Sequence, residues 1–249
     1  MIFPIGDTQV KGGHKPLFTY TFLVLNILIF ALQVSQPGNL ICEFAVMPEN
    51  IKNGSHLYTL LTSLFMHGSY MHIIGNLLFL WVFADNIEAV IGNFRFLLFY
   101  LGGGVVASLA HIYLGTPTAD TLPCCMPCDG CDGPLMCAGF IPSLGASGAI
   151  SAVMGAYILL FPSSKIKVLV LIFFTSIYVS AWVFLGLWFV QQLFAGIGST
   201  SALAQQAESG VAWWAHIGGF VFGLAVAWIY KNKRGSNPVI HRDEDRNYL

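Results

Sequence analysis

The sequence predicts an all-α membrane protein, a six-transmembrane-helix bundle with N and C termini in the cytoplasm and a short fourth helix. Three observations predict it. Of the 249 residues, 56% are hydrophobic and only 9% charged, whereas a soluble domain carries about 25% charged residues. Six apolar segments run at 17–34, 57–84, 94–114, 147–161, 168–194 and 211–230. The basic residues fall almost entirely on one side of those segments.

A spanning helix needs roughly 20 apolar residues. In lipid each backbone N–H and C=O must find a partner within the protein, so every segment is read as a helix. Residues 1–16 are short and polar, with no cleavage site after the first apolar run, and form a cytoplasmic N-terminal segment. Residues 17–230 form one domain and 231–249 a cytoplasmic tail. The fourth segment is the exception in length. From Ser147 to Phe161, where Pro162 follows, it covers about 22 Å against a hydrocarbon core of about 30 Å. Residues 139–146 must then enter the membrane as non-helical chain. Such chain is tolerated only where protein buries it or where it lines water.

Charge sets the orientation. Lys11, Lys15, Arg95, Lys165, Lys167, Lys231, Lys233, Arg234, Arg242 and Arg246 all face the cytoplasm if six spans begin and end there, and only Lys52 faces out. The net charge of −1 implies no nucleic-acid partner. The outward loops are 35–56, 115–146 and 195–210.

Two polar residues stand out inside apolar segments. Ser147 lies in Gly145-Ala146-Ser147-Gly148 and His216 in Ala215-His216-Ile217-Gly218-Gly219. Polar groups in hydrocarbon are costly and tend to be functional, and a serine with a histidine suggests a nucleophile and its base. Counted along their helices, both lie roughly 8 Å below the outer boundary. Gly148 and Gly155 share one face of the fourth helix, and Gly219 and Gly223 form GxxxG on the sixth. Small residues let membrane helices approach closely, which would bring His216 to Ser147. In the second segment, His72 and Asn76 are four apart on one face at about the same depth, where an imidazole and an amide would donate to an oxyanion.

These residues resemble the rhomboid family of intramembrane serine proteases. The resemblance rests on four ordered motifs: Gly145-Ala146-Ser147-Gly148; Ala215-His216-Ile217-Gly218-Gly219; His67 through His72 to Asn76; and Glu88, Gly92, Arg95-Phe96. It implies that Ser147 is the nucleophile and His216 the general base. His72, Asn76 and the Ser147 amide would form the oxyanion hole. Gly145 would leave room for the substrate backbone, and His67 would order the outer end of the second helix. Substrates would be single-pass membrane proteins cut near the outer leaflet, with no cofactor, and 195–210 would cap the site. The six-span form points to the plasma membrane of a prokaryote. Three features depart from the family pattern, one of them a cysteine-rich insert in the outer loop at 115–143. Leu57-Tyr58-Thr59 stands where Trp-Arg is common, and Ser151 replaces the aromatic residue that packs on the base.

The outer loops hold six cysteines, Cys42, Cys124, Cys125, Cys128, Cys131 and Cys137. Disulfides are the plain expectation in an oxidising compartment. Four thiolates holding a metal are the rival. Other functions are weaker fits. An inactive rhomboid-like protein that binds membrane helices would usually lack the serine or the histidine. A transporter would need charged groups along its path, and the spans carry almost none. An α/β-hydrolase elbow needs GxSxG in a strand–turn–helix setting.

Overall fold

The computed structural model describes residues 2–7, 14–36, 39–115, 141–199 and 211–234. Among the described residues, five helices are long and apolar enough to cross a membrane. They are α1 (Leu17–Ser35), α5 (Tyr70–Ile91), α6 (Asn93–Ala110, prolonged by a π-turn His111–Gly115), α8 (Ala181–Ser199) and α9 (Trp213–Arg234). The short α7 (Ser147–Leu160) is the sixth apolar helix. Three small helices, α2 (Asn39–Phe44), α3 (Pro48–Lys52) and α4 (Thr59–Thr62), connect α1 to α5.

The burial pattern suits lipid. On α1, Leu17, Val24, Leu28 and Leu32 are exposed, while Thr19, Asn26 and Gln33 are buried. A soluble helix does the reverse. Helix α7 is enclosed instead, with Ala149, Ser151, Ala152, Val153 and Tyr157 all 0% exposed. Its packing against α9 is backbone on backbone. A Cβ on Gly219 would collide with the Gly148 carbonyl, one on Gly223 with the Ala152 carbonyl, and one on Gly155 with the Phe220 carbonyl. The two glycine faces expected to meet do meet.

The described residues are mostly helical, in line with the expected all-α class, and a small sheet that the sequence reading did not foresee stands beside the helices. Strands β1 (Ile2–Gly6), β2 (Lys165–Val170) and β3 (Thr175–Ser180) form an antiparallel sheet in the order β1-β2-β3. The segment expected as one helix over 168–194 therefore holds the end of β2, a 3-10 turn (Leu171–Phe173) and β3, and is α-helical only from Ala181. The reason lies in its residues. Lys165-Ile166-Lys167-Val168 alternates polar with β-branched, and Ile166 and Val168 are buried while Lys165 is exposed. Period two suits a strand. High hydropathy over the whole run hides that period.

The second expected helix, 57–84, is also divided. A 3-10 turn (Ser63–Phe65) follows α4, and the chain then extends before Ser69 caps α5, its Oγ accepting from the His72 N–H at 3.2 Å. The loop that lacks Trp-Arg is tied by other groups. Tyr58 Oη donates to the Glu43 carbonyl at 3.1 Å and Thr62 Oγ1 to the Phe44 carbonyl at 2.8 Å.

At the far end of α5, Glu88 is fully buried. Its carboxyl group accepts from the Phe18 N–H (2.8 Å), the Thr19 N–H (2.8 Å) and Thr19 Oγ1 (2.7 Å). Glu88 thus caps the free N–H groups of the first turn of α1 from another helix. Gly92 turns the chain from α5 into α6 at φ +88°, a conformation that favours glycine. Beside this cap, Asp7 at the end of β1 accepts from Asn86 Nδ2 at 2.5 Å and from Tyr157 Oη. Burial, with Asp85 nearby, raises the Asp7 pKa to about 7.

Candidate active site

Ser147 is the first residue of α7, so its backbone N–H belongs to the unpaired first turn. The chain entering α7 is non-helical over 141–146. It is held on both sides: Ser143 and Val46 exchange backbone hydrogen bonds (2.7 and 2.9 Å), and the Gly145 N–H donates to the Ser63 carbonyl at 2.9 Å. This is how irregular chain survives at this depth, through partners inside the protein. Of the expected 139–146 stretch, 139 and 140 lie outside the described residues.

His216 sits in the first turns of α9. The glycine contacts between α7 and α9 set its distance to the serine, and His216 Nε2 lies 2.8 Å from Ser147 Oγ. A hydroxyl at hydrogen-bond distance from an imidazole is the geometry of an activated nucleophile. Three residues not singled out in the sequence complete the surroundings. His216 Nδ1 is 2.8 Å from Gln192 Oε1, on α8. The ring faces Trp188 (centroids 5.8 Å, 37°) and meets Trp213 edge-on (6.2 Å, 90°). The Ser151 hydroxyl donates to the Ser147 carbonyl at 2.7 Å. Gln192 carried a signal in the sequence, an amide within an apolar span. It lies four residues after Trp188, on the same helix face.

His72 and Asn76 come together around Gly145. Gly145 has φ +128°, and a Cβ there would lie 2.8 Å from the His72 ring and 3.7 Å from Asn76 Nδ2. Asn76 is 8% exposed, and its buried Nδ2 has no hydrogen-bond partner among the described residues. The Gly68 N–H approaches His72 Nδ1 at 3.4 Å. His67 is buried behind them, with its ring 5.2 Å from that of His72. Its backbone is held by Gln33, which accepts from the His67 N–H (3.0 Å) and donates to its carbonyl (3.1 Å). A small cavity bordered by Ser63, Ser108, Ser143, Gly145, Ser147 and Ala215 lies against the nucleophile.

Cys42 is disulfide-bonded. Cys124, Cys125, Cys128, Cys131 and Cys137 lie outside the described residues. Of the expected cap at 195–210, residues 195–199 are the end of α8 and 200–210 lie outside the described residues.

A polytopic helical bundle with a serine and a histidine paired in its interior defines an intramembrane protein of hydrolase-like geometry. A family profile for the Rhomboid domain matches residues 54–233, and the chain belongs to the rhomboid family, a family of multi-pass membrane proteins that includes serine intramembrane proteases. It is 30% identical over 154 residues to the rhomboid protease GluP of Bacillus subtilis, covering 60% of this chain and 26% of that protein. Over 216 residues it is 24% identical to the mitochondrial rhomboid protein 1 of Saccharomyces cerevisiae, covering 86% and 54%. Similarity to the human mitochondrial presenilin-associated rhomboid-like protein is 26% over 171 residues, covering 66% and 36%. The chain thus spans between about a quarter and about half the length of these curated relatives.

Proposed function

We propose that this chain is a serine endopeptidase that hydrolyses peptide bonds of single-pass membrane proteins within the bilayer, near the outer leaflet. The observation that carries the reading is the 2.8 Å contact between Ser147 Oγ and His216 Nε2 inside an apolar bundle. His216 takes the serine proton as Oγ attacks the scissile carbonyl, then returns it to the leaving amine. The developing oxyanion is met by the Ser147 N–H, the open Nδ2 of Asn76 and the His72 ring. Such donors stabilise the transition state more than the ground state because they already point where charge develops. Gly145 keeps that space free of a side chain. No cofactor enters this mechanism. The six-span reading, which puts ten of the 11 basic residues on the cytoplasmic side, supports a plasma membrane setting with the site open to the outside.

The test is cleavage of a model single-pass substrate in liposomes by wild type, Ser147→Ala and His216→Ala. Cleavage by wild type alone is the expected result. Mutants that cut as fast as wild type would remove these residues from the mechanism. Absence of cleavage, with no fluorophosphonate label on Ser147, would leave a rhomboid-like protein that binds membrane helices.

A further inference from the structure

We propose that Gln192 is a positioning residue that holds His216 in the one tautomer able to act as base. The proposal rests on the Ser147–His216 dyad reading and deepens it. A neutral imidazole has one N–H donor and one bare acceptor nitrogen. To receive the Ser147 proton, Nε2 must be bare, so the ring proton must sit on Nδ1. Nδ1–H then needs an acceptor, and Gln192 Oε1 lies 2.8 Å from it. Gln192 is 3% exposed in a membrane-spanning helix, where a polar group is costly without a partner. Trp188, one turn earlier on the same face, covers the ring. The i, i+4 pair on α8 therefore fixes both the plane and the proton of the base, while the Ser151 hydroxyl is engaged by the Ser147 carbonyl.

In the soluble Ser-His-Asp arrangement a buried carboxylate orients the histidine and stabilises its cation. A carboxylate buried in hydrocarbon carries a heavy desolvation cost. An amide carbonyl performs the orienting half of that role without a charge. The other titratable side chains acting on His216 are His72 on α5 and His111 in the π-turn after α6.

The experiment uses the full chain in lipid nanodiscs with 15N-histidine labelling, His216→Ala supplying the assignment. In wild type the neutral His216 should carry its proton on Nδ1. Gln192→Met, similar in size but lacking the acceptor, should give mixed tautomers. Its kcat should fall about 10- to 100-fold, part of the 10²–10⁴ that a positioned base supplies, with KM changed less than about twofold. Gln192→Glu should keep more activity than Gln192→Met and move the acid limb of the pH–rate profile upward by roughly one unit or more. A proton on Nε2 in wild type would overturn the proposal, as would Met and Glu variants that match wild type in tautomer and pH profile. Equal losses in both variants without a pH shift would mark a packing role and also overturn it. The spectrum needs no turnover. Cleavage by Ser147→Ala would therefore sink the protease reading while leaving the tautomer result to be judged alone.

Discussion

At one end of the bundle, Glu88 accepts three hydrogen bonds and Asp7 two, and every donor comes from a different element or from the start of α1. At the other end, Asn76 holds a buried amide with no partner among the described residues, beside a glycine kept clear of side chains. Both ends bury polar groups, and burial without a partner costs about 1–3 kcal/mol. The saturated end repays its desolvation within the protein and gains rigidity. The open end leaves donors for a group that arrives from outside. The difference separates architecture from chemistry among residues of the same polarity.

Substitutions at the two ends should therefore differ in kind. The largest effect is expected for Asn76→Ala. Its cleavage rate should fall by about 10²–10³-fold, while its midpoint of thermal unfolding in detergent stays near that of wild type. A large loss of stability would place Asn76 with the architectural groups. Glu88→Ala should do the opposite. It strands three donors at the start of α1 and should cost about 3 kcal/mol, lowering the Tm by roughly 6–12 °C. On the proposed function, Glu88→Ala protein that remains folded should cut at near the wild-type rate. An unchanged Tm would break the contrast.

The smallest effect concerns Asp7 and sharpens the comparison, because even the saturated end holds one pH-sensitive member. Its pKa rises from 3.8 to about 7 on folding, chiefly through burial. The folded state thus favours the protonated form. That contribution to stability is complete below about pH 4 and is lost as pH rises through about 7. Docking of β1 should loosen over that window, read as faster amide exchange in residues 2–7. Asp7→Asn should flatten the dependence. A wild-type exchange rate that is constant from pH 4 to 8, after correction for intrinsic exchange, would contradict it.

Much of the candidate site was legible in the sequence because membrane depth is a strong constraint. A fixed rise per residue and a polar side chain in hydrocarbon were enough to set Ser147 and His216 at one level. The glycines then supplied the close approach. Gln192 escaped because a single amide in a span does not say which neighbour it meets. The sheet escaped for another reason. Lys165-Ile166-Lys167-Val168 alternates, but uniform hydropathy over the 27-residue run from 168 to 194 masks the strand period, and that run is longer than one span needs. The pairing of Ile2–Gly6 with β2 depends on a partner some 160 residues away, which local pattern cannot supply.

Helix α7 is buried along most of its length, and its 14 residues reach only about 21 Å. Its neighbours meet the lipid, so hydrophobic mismatch acts on them and not on it. The nucleophile is therefore indexed to glycine contacts and to the sheet below, not to the bilayer surface. Shorter acyl chains bring the water boundary closer to Ser147 and change which bond of an incoming helix arrives at that level. They leave the spacing between serine and histidine as it is, so lipid thickness becomes a ruler for the cleavage position rather than a switch for the chemistry.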